Sequence, residues 1–295
     1  MKFGFKTYQY DTTWPNLLDV WRTADALEVF ESGWLFDHYY AVYGGPDGKP
    51  FADPSRPCLE TWTTLTALAQ ATTRLRLGVI VASVVSHPAP LIAKMACTLD
   101  HVANGRLELG LGAGSMATEL ASYGIELGSV SERLDRWEEA LEVIVSLLTK
   151  EEVDFAGRYY MLRSARCDPK SIQQPHPPIC IGAQGERRAL RIAARWAQHW
   201  NFAGGSSAGP RGFARKSQIL SAHCAEIGRN PDEIRRSVDV YLGPTTDPGV
   251  LRELAPAYAE AGVDLLIVGM APPYHPARLE QVAEQLGTAR LAPAT

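Results

Sequence analysis

No stretch of this 295-residue chain approaches the roughly 18 consecutive apolar residues of a membrane span, so no membrane association is expected. Its opening residues, MKFGFKTYQYD, lack the apolar core of a secretory leader, so a cytoplasmic location is expected. Cysteine is sparse. Cys58, Cys97, Cys167, Cys180 and Cys224 are odd in number, scattered and never in a C-x-x-C pair, which argues against a disulfide framework or a thiolate zinc site. There is no surplus of positive charge: 29 basic side chains against 33 acidic ones give −4, and no basic block is interleaved with aromatics. Nucleic acid is therefore not an expected partner. Also absent are the G-x-S-x-G elbow, the H-E-x-x-H helix and any His/Cys/carboxylate cluster with metal spacing, which removes the usual hydrolase signatures and leaves no metal expected.

What is present is an ordinary globular composition, 46% hydrophobic and 21% charged, over a length that accommodates one large core. The most informative stretch is LDHVANGRLELGLGAGSMATE, from Leu99 to Glu119. It reads as a helix end, an Asn104-Gly105 turn, a buried strand from Arg106 to Leu111, and a loop almost without side-chain volume. In parallel α/β folds the C-terminal end of a strand carries the reacting groups, and the missing Cβ atoms of Gly110, Gly112 and Gly114 let a flat ligand approach the backbone. A plain tight turn explains the same glycines equally well.

Strand and helix patterns alternate along the chain. Strands are expected near Phe3, Leu35, Leu77, Leu109, Ile181, Asn201, Val240 and Ile267, each followed by a helical segment. The first helix is expected to end at Gly33, and a helix starting at Ser131 lacks the acidic partner of a capping box. Eight strand–helix units predict a closed (β/α)8 barrel, a TIM barrel, forming a single domain over residues 1–295. Two segments fall outside the alternation: a Gly-, Pro- and Tyr-rich loop from Tyr39 to Pro57, read as a lid or rim, and a small inserted hairpin over 151–163.

Candidate chemistry clusters at strand exits. Asp37 and His38 close the second strand, and histidine titrates where a proton can be passed to or from a substrate near neutral pH. Their alternative role is to cap the next loop. His87 follows the third strand beside Pro88. His101, His199, His223 and His275 carry no signal. Gly182-Ala183-Gln184-Gly185 precedes a helix expected from Glu186, an arrangement whose free N–H groups hold an anion. It matches neither the dinucleotide fingerprint nor the P-loop.

The segments GWLFDHYY, RLRLGVIV, LIAKMACTLDHVANGRLELGLGAG, PHPPICIGAQGERRALRIAARWAQHWN and AGVDLLIVG resemble the bacterial luciferase-like family over nearly the whole chain, in order. The branch they are most similar to uses the deazaflavin coenzyme F420. The resemblance implies a luciferase-like TIM barrel holding a deazaflavin or flavin in its C-terminal mouth. It implies a non-proline cis peptide at Ser83-Val84 beneath the ring, Asp37 and His38 at the ring with His38 in proton transfer, Gly112 and Gly114 against the cofactor, and Gly182, Ala183, Gln184 and Gly185 around the phosphate. Substrate would meet Glu60, His87, Ser115 and Met116. Ser115 and Met116 stand where relatives have Trp and a polar residue, and Ser86-His87-Pro88 replaces Arg-His-Pro. Both changes imply an altered substrate pocket.

The function expected from this resemblance is an F420-dependent oxidoreductase that reduces C=C or C=N or oxidises an alcohol on a small organic substrate, as a homodimer. An FMN-dependent monooxygenase is the alternative. A non-catalytic flavin-binding barrel is a third reading.

Overall fold

The computed structural model describes residues 1–44, 50–203 and 205–289. Eight strands close a parallel ring: β1 (Lys2–Thr7), β2 (Phe30–Leu35), β3 (Arg76–Val79), β4 (Leu107–Gly112), β5 (Ile179–Gly182), β6 (His199–Phe202), β7 (Arg235–Leu242) and β8 (Leu265–Met270). Each pairs with the next, β8 pairs with β1, and the ring shuts through Ile179–Leu109, Cys180–Gly110 and Ile181–Leu111 between β5 and β4. Helices α1 (Trp14–Ala26), α2 (Thr61–Ala71), α3 (Ala89–Val102), α4 (Ala117–Ser122), α5 (Val130–Thr149), α6 (Ala189–Trp196), α7 (Gly205–Glu226), α8 (Leu251–Glu260) and α9 (Pro276–Thr288) fill the connections. This is the closed (β/α)8 TIM barrel expected of the sequence. Ala41–Gly44 and Pro50–Asp53 pair antiparallel within the expected loop, whose residues 45–49 lie outside the described ones. Val153–Ala156 and Met161–Ala165 form a second antiparallel pair.

Period-2 burial sorts the strand residues into two cores. The larger lies between the ring and the helices and includes Phe5, Trp21, Leu77, Leu109, Trp137, Ile181 and Trp200. The smaller fills the barrel with Trp34, Ile80, Cys180, Leu265 and Ile267. Trp34 has room because β1 and β3 carry glycine opposite it: a Cβ on Gly4 would sit 3.3 Å from the indole nitrogen, and one on Gly78 2.7 Å from the ring.

Three local expectations are corrected. The first helix ends at Ala26, not Gly33. Gly33 lies inside β2, where a Cβ would stand 2.7 Å from Trp21 and 2.8 Å from Phe5, so the glycine serves packing and not termination. The fifth helix starts at Val130 behind Ser129, and a capping box is present: Ser129 Oγ accepts from Glu132 N at 3.3 Å and Glu132 Oε2 accepts from Ser129 N at 2.9 Å. The sixth helix begins at Ala189, three residues beyond Glu186, because residues 186–188 form a turn ahead of it, with Glu186 paired to Arg215 and to Lys216 (2.6 Å).

Candidate active site

The C-terminal mouth holds a cavity of about 450 Å³ whose walls come from six of the eight strand exits. Lys6, Asp37, His38, Ile80, Val81, Ser83, Gly112 to Ser115, Glu119, Gly182 to Gln184 and Asn201 all face it. Its floor depends on Val81. The cis peptide expected at Ser83-Val84 is at Ile80-Val81 instead, directly after β3. From there the Val81 side chain enters the space left by the glycines of β4 and β5: a Cβ on Gly112 would lie 2.6 Å from Val81 Cγ2, and one on Gly182 2.9 Å from Val81 Cγ1. These glycines therefore make room first for a side chain of the protein, which then presents an apolar surface to the cavity. Gly114 is different in kind, with φ +84 and a virtual Cβ 2.8 Å from Ser83 Oγ, so both conformation and space demand glycine.

His38 is fixed by a residue that the sequence reading did not single out. Met116 adopts left-handed backbone (φ 57) and turns the chain into α4, so that Glu119, 3% exposed, points back across the cavity. Glu119 Oε2 lies 2.8 Å from His38 Nδ1, while Oε1 accepts from the N–H groups of Tyr40 (2.9 Å) and Tyr39. Three donors thus converge on one buried carboxylate, an acceptor that assigns the imidazole proton to Nδ1. Nε2 keeps its lone pair.

Asp37 turns the other way. Its Oδ2 accepts from Ser83 N at 3.1 Å and lies 3.3 Å from His87 Nε2. Ser83 Oγ accepts from Val85 N and Ser86 N, each at 3.2 Å. Asp37, Ser83 and His87 consequently lock the β3 exit. Burial of His87 alone would lower its pKa, but the Asp37 carboxylate outweighs this and holds it above the ordinary histidine value.

The remaining expected residues are distributed as follows. Ser115 faces the cavity, whereas Val84 is buried behind it, Met116 serves the turn, and Gly185 accepts from Leu190 N at 2.9 Å at the head of α6. Glu60 caps α2, accepting from Trp62 N (2.8 Å) and Thr63 N (2.7 Å). Ala183 N donates to Asn201 O at 3.3 Å, leaving the next turn residues to meet a ligand.

Inside the barrel runs a buried polar chain that the sequence reading missed, having set His199 aside. Arg76 Nε donates to Glu108 Oε1 at 2.8 Å, and Glu108 Oε2 lies 2.8 Å from His199 Nδ1. His199 Nε2 meets Ser237 Oγ at 2.6 Å. Asn201 Nδ2 then donates to Ser237 Oγ at 2.9 Å and to Asp239 Oδ1 at 3.0 Å, and Asp239 Oδ2 accepts from Lys6 Nζ at 3.0 Å. Burial raises the Glu108 pKa, but His199 and Arg76 overcome that and hold it down at about 2. Both amide hydrogens of Asn201 are used, and its Oδ1 is a buried acceptor without a partner among the described residues, on a residue that lines the cavity. Trp137 Nε1, a donor on another lining residue, is likewise buried without a partner among the described residues. Such orphaned atoms are costly unless a ligand engages them. An apolar-bottomed cavity with an orphan acceptor and an orphan donor on two of its lining residues fits a deazaflavin or flavin.

The family model for luciferase-like monooxygenases matches residues 2–292, and the chain belongs to that family. Among curated relatives, the uncharacterized protein Rv0953c of Mycobacterium tuberculosis is 34% identical over 142 residues, 48% of this chain and 49% of that protein, so the match spans about half the length of that relative. Three solved structures share the fold. An F420-dependent secondary alcohol dehydrogenase in complex with an F420-acetone adduct superposes with a TM-score of 0.82 at 17% identity, over 98% of this chain and 99% of that one. A coenzyme F420-dependent tetrahydromethanopterin reductase from Methanopyrus kandleri gives 0.78 at 18%, over 96% and 97%. The monooxygenase RslO1 from Streptomyces bottropensis gives 0.74 at 20%, over 97% of each chain.

Proposed function

We propose that this luciferase-like protein is an F420-dependent oxidoreductase that moves a hydride between the deazaflavin and a small organic substrate, with His38 handling the accompanying proton. The observation that carries the reading is the His38–Glu119 pair at 2.8 Å in the wall of the large C-terminal cavity. A bound deazaflavin supplies two-electron hydride chemistry, having carbon where a flavin forms its oxygen adduct. The chain supplies the rest. Val81 and the glycines around it would give the ring an apolar floor, and Asn201 Oδ1, a buried acceptor on a lining residue, would be available to a donor of the bound group. Gln184 and the residues before α6 would hold the phosphate. His38 Nε2 takes a proton from an alcohol, or returns one to a reduced carbon or nitrogen, while Glu119 stabilises the imidazolium. The two F420-dependent neighbours support this choice of cofactor, and RslO1 supports the alternative, an FMN-dependent monooxygenase.

Titration of the purified protein with oxidised and reduced F420 and with FMN, followed by fluorescence, separates these. We expect F420 to bind at least ten times more tightly than FMN, and reduced F420 to be consumed anaerobically with an acceptor. Tighter binding of FMN together with oxygen uptake would overturn the assignment.

A further inference from the structure

A second cavity, of about 460 Å³, adjoins the first and shares Lys6, His38 and Ile80 with it. Its volume lies in the range of small-molecule sites. Its other walls are mostly aromatic, Tyr8, Tyr10, Phe36, Tyr43 and Tyr241, completed by Val42, Gly44 and Pro50. These rings brace one another, with Tyr8 and Phe36 edge to face at 5.3 Å, Tyr10 and Tyr43 at 5.2 Å, and Tyr8 and Tyr241 at 6.1 Å. Tyr274 Oη holds the Tyr8 backbone from behind, donating to its carbonyl at 3.0 Å and accepting from its N–H at 2.6 Å. The chamber is thus preorganised to take a flat apolar body.

Charge balance narrows the class further. Lys6 is paired with Asp239 at 3.0 Å, and Asp11, which accepts from the Tyr43 hydroxyl, is paired with Arg56 at 2.7 Å. Burial pushes the Tyr8 and Tyr10 hydroxyls up, so both stay neutral. His38 faces the Glu119 carboxylate. The described walls therefore offer an anion no uncompensated positive charge. A cation fares no better, since the Lys6 ammonium already stands 5.5 Å from the Tyr8 ring centre, in the place a cationic ligand would seek. Asp239 takes one of the three N–H donors of Lys6, and the same ammonium lies at the wall between the two chambers. We infer that the second chamber is the substrate site and takes an uncharged aromatic compound bearing an acceptor oxygen, its rings against Tyr8, Tyr10 and Tyr241 and its oxygen on Lys6. The inference rests on the first chamber being the cofactor's.

The probes are 2-acetylnaphthalene, 2-ethylnaphthalene, 2-naphthoate and 2-naphthyltrimethylammonium, titrated calorimetrically into the protein without cofactor. The ketone should bind at least tenfold more tightly than either charged probe. Tyr241→Leu should weaken it by about three- to tenfold, the worth of one aromatic contact, while Tyr241→Phe and F420 affinity stay unchanged. Lys6→Met, or Lys6→Met with Asp239→Asn if the single variant misfolds, should bring ketone and ethylnaphthalene to equal affinity. A charged probe binding as tightly as the ketone, or a ketone affinity indifferent to both Tyr241→Leu and the Lys6 variants, overturns the inference. Failure of F420 to bind while the ketone still does would instead overturn the functional reading.

Discussion

His38 Nδ1 and Glu119 Oε2 stand 2.8 Å apart although 81 residues separate them, and this contact decides which imidazole nitrogen can meet a substrate. With Glu119 as acceptor, Nε2 has the lone pair. In Glu119→Gln the side-chain amide can donate to Nδ1 and leave Nε2 protonated, the wrong tautomer for a base. Turnover should then fall by about 10²–10⁴-fold and its pH profile change shape, with F420 affinity held. A kcat within threefold of the parent and an unchanged profile would reduce Glu119 to a loop support for Tyr39 and Tyr40.

Val81 and Gly182 are predicted to be energetically coupled. Gly182→Ala places a methyl 2.9 Å from Val81 Cγ1, a contact that forces a shift. Overpacking of this kind costs about 1–3 kcal/mol. Val81→Ala alone removes apolar contacts and also destabilises. The double variant should recover at least about 1 kcal/mol over the sum of the singles, which urea denaturation reads directly. Additive losses would mean that the two side chains do not meet.

Glu108 should make acid stability steep. Its folded pKa of about 2 lies below the unfolded value, about 4.3. The contribution is therefore present above about pH 4.3 and lost as pH falls toward 2. Glu108→Gln leaves Arg76 and His199 facing an amide in the barrel interior, at a cost of about 3–5 kcal/mol near neutral pH. Urea midpoints at pH 7 and pH 3 should show the gap between variant and parent shrinking in acid. An equal gap at both values would contradict the depressed pKa.

The barrel was legible because it is written locally: short strand patterns alternate with helical ones, and all eight strands fall where the alternation puts them. The site was legible only in part. Asp37, His38 and the glycine turns announce themselves by standing at strand exits. Glu119 does not, because its role comes from the left-handed Met116, which redirects the chain in a way no periodicity records. Gly33 misled for the opposite reason, since a glycine needed beneath Trp21 looks in sequence like one ending a helix. His199 opens the strand HWNF, and Ser237 and Asp239 alternate with Val238 and Val240 in RRSVDVYL, so neither strand's own pattern marks them as partners. Only barrel closure brings β4, β6 and β7 together and turns them into a chain ending at Lys6.

His87 gives a dependence of the opposite sign to that of Glu108. Its folded pKa is raised by Asp37 above the ordinary value of about 6.5. The stabilisation is thus complete below about pH 6.5 and lost as pH rises through the folded value. His87→Gln should be more destabilised relative to the parent at pH 6 than at pH 9 in thermal melts. A difference that grows with pH would show that the pair with Asp37 does not hold the proton.

The proton-transfer role itself is tested by His38→Ala. The side chain lies in the wall of both chambers, while the cavity floor is made by Val81 and the glycines, and the orphan acceptor belongs to Asn201. On the proposed reading, removing the imidazole leaves the residues assigned to the cofactor largely in place and takes away the group assigned to proton transfer. Acid–base assistance is worth about 10²–10⁴-fold, so kcat should fall by that much while F420 affinity changes by less than about threefold. Small imidazole added to the medium should restore part of the rate, because the cavity left by His38 opens toward the substrate chamber. If instead F420 binding collapses and turnover at saturating cofactor is preserved, His38 is a wall of the cofactor site, and the proton passes through another group of the mouth, with Lys6 the next in reach of both chambers.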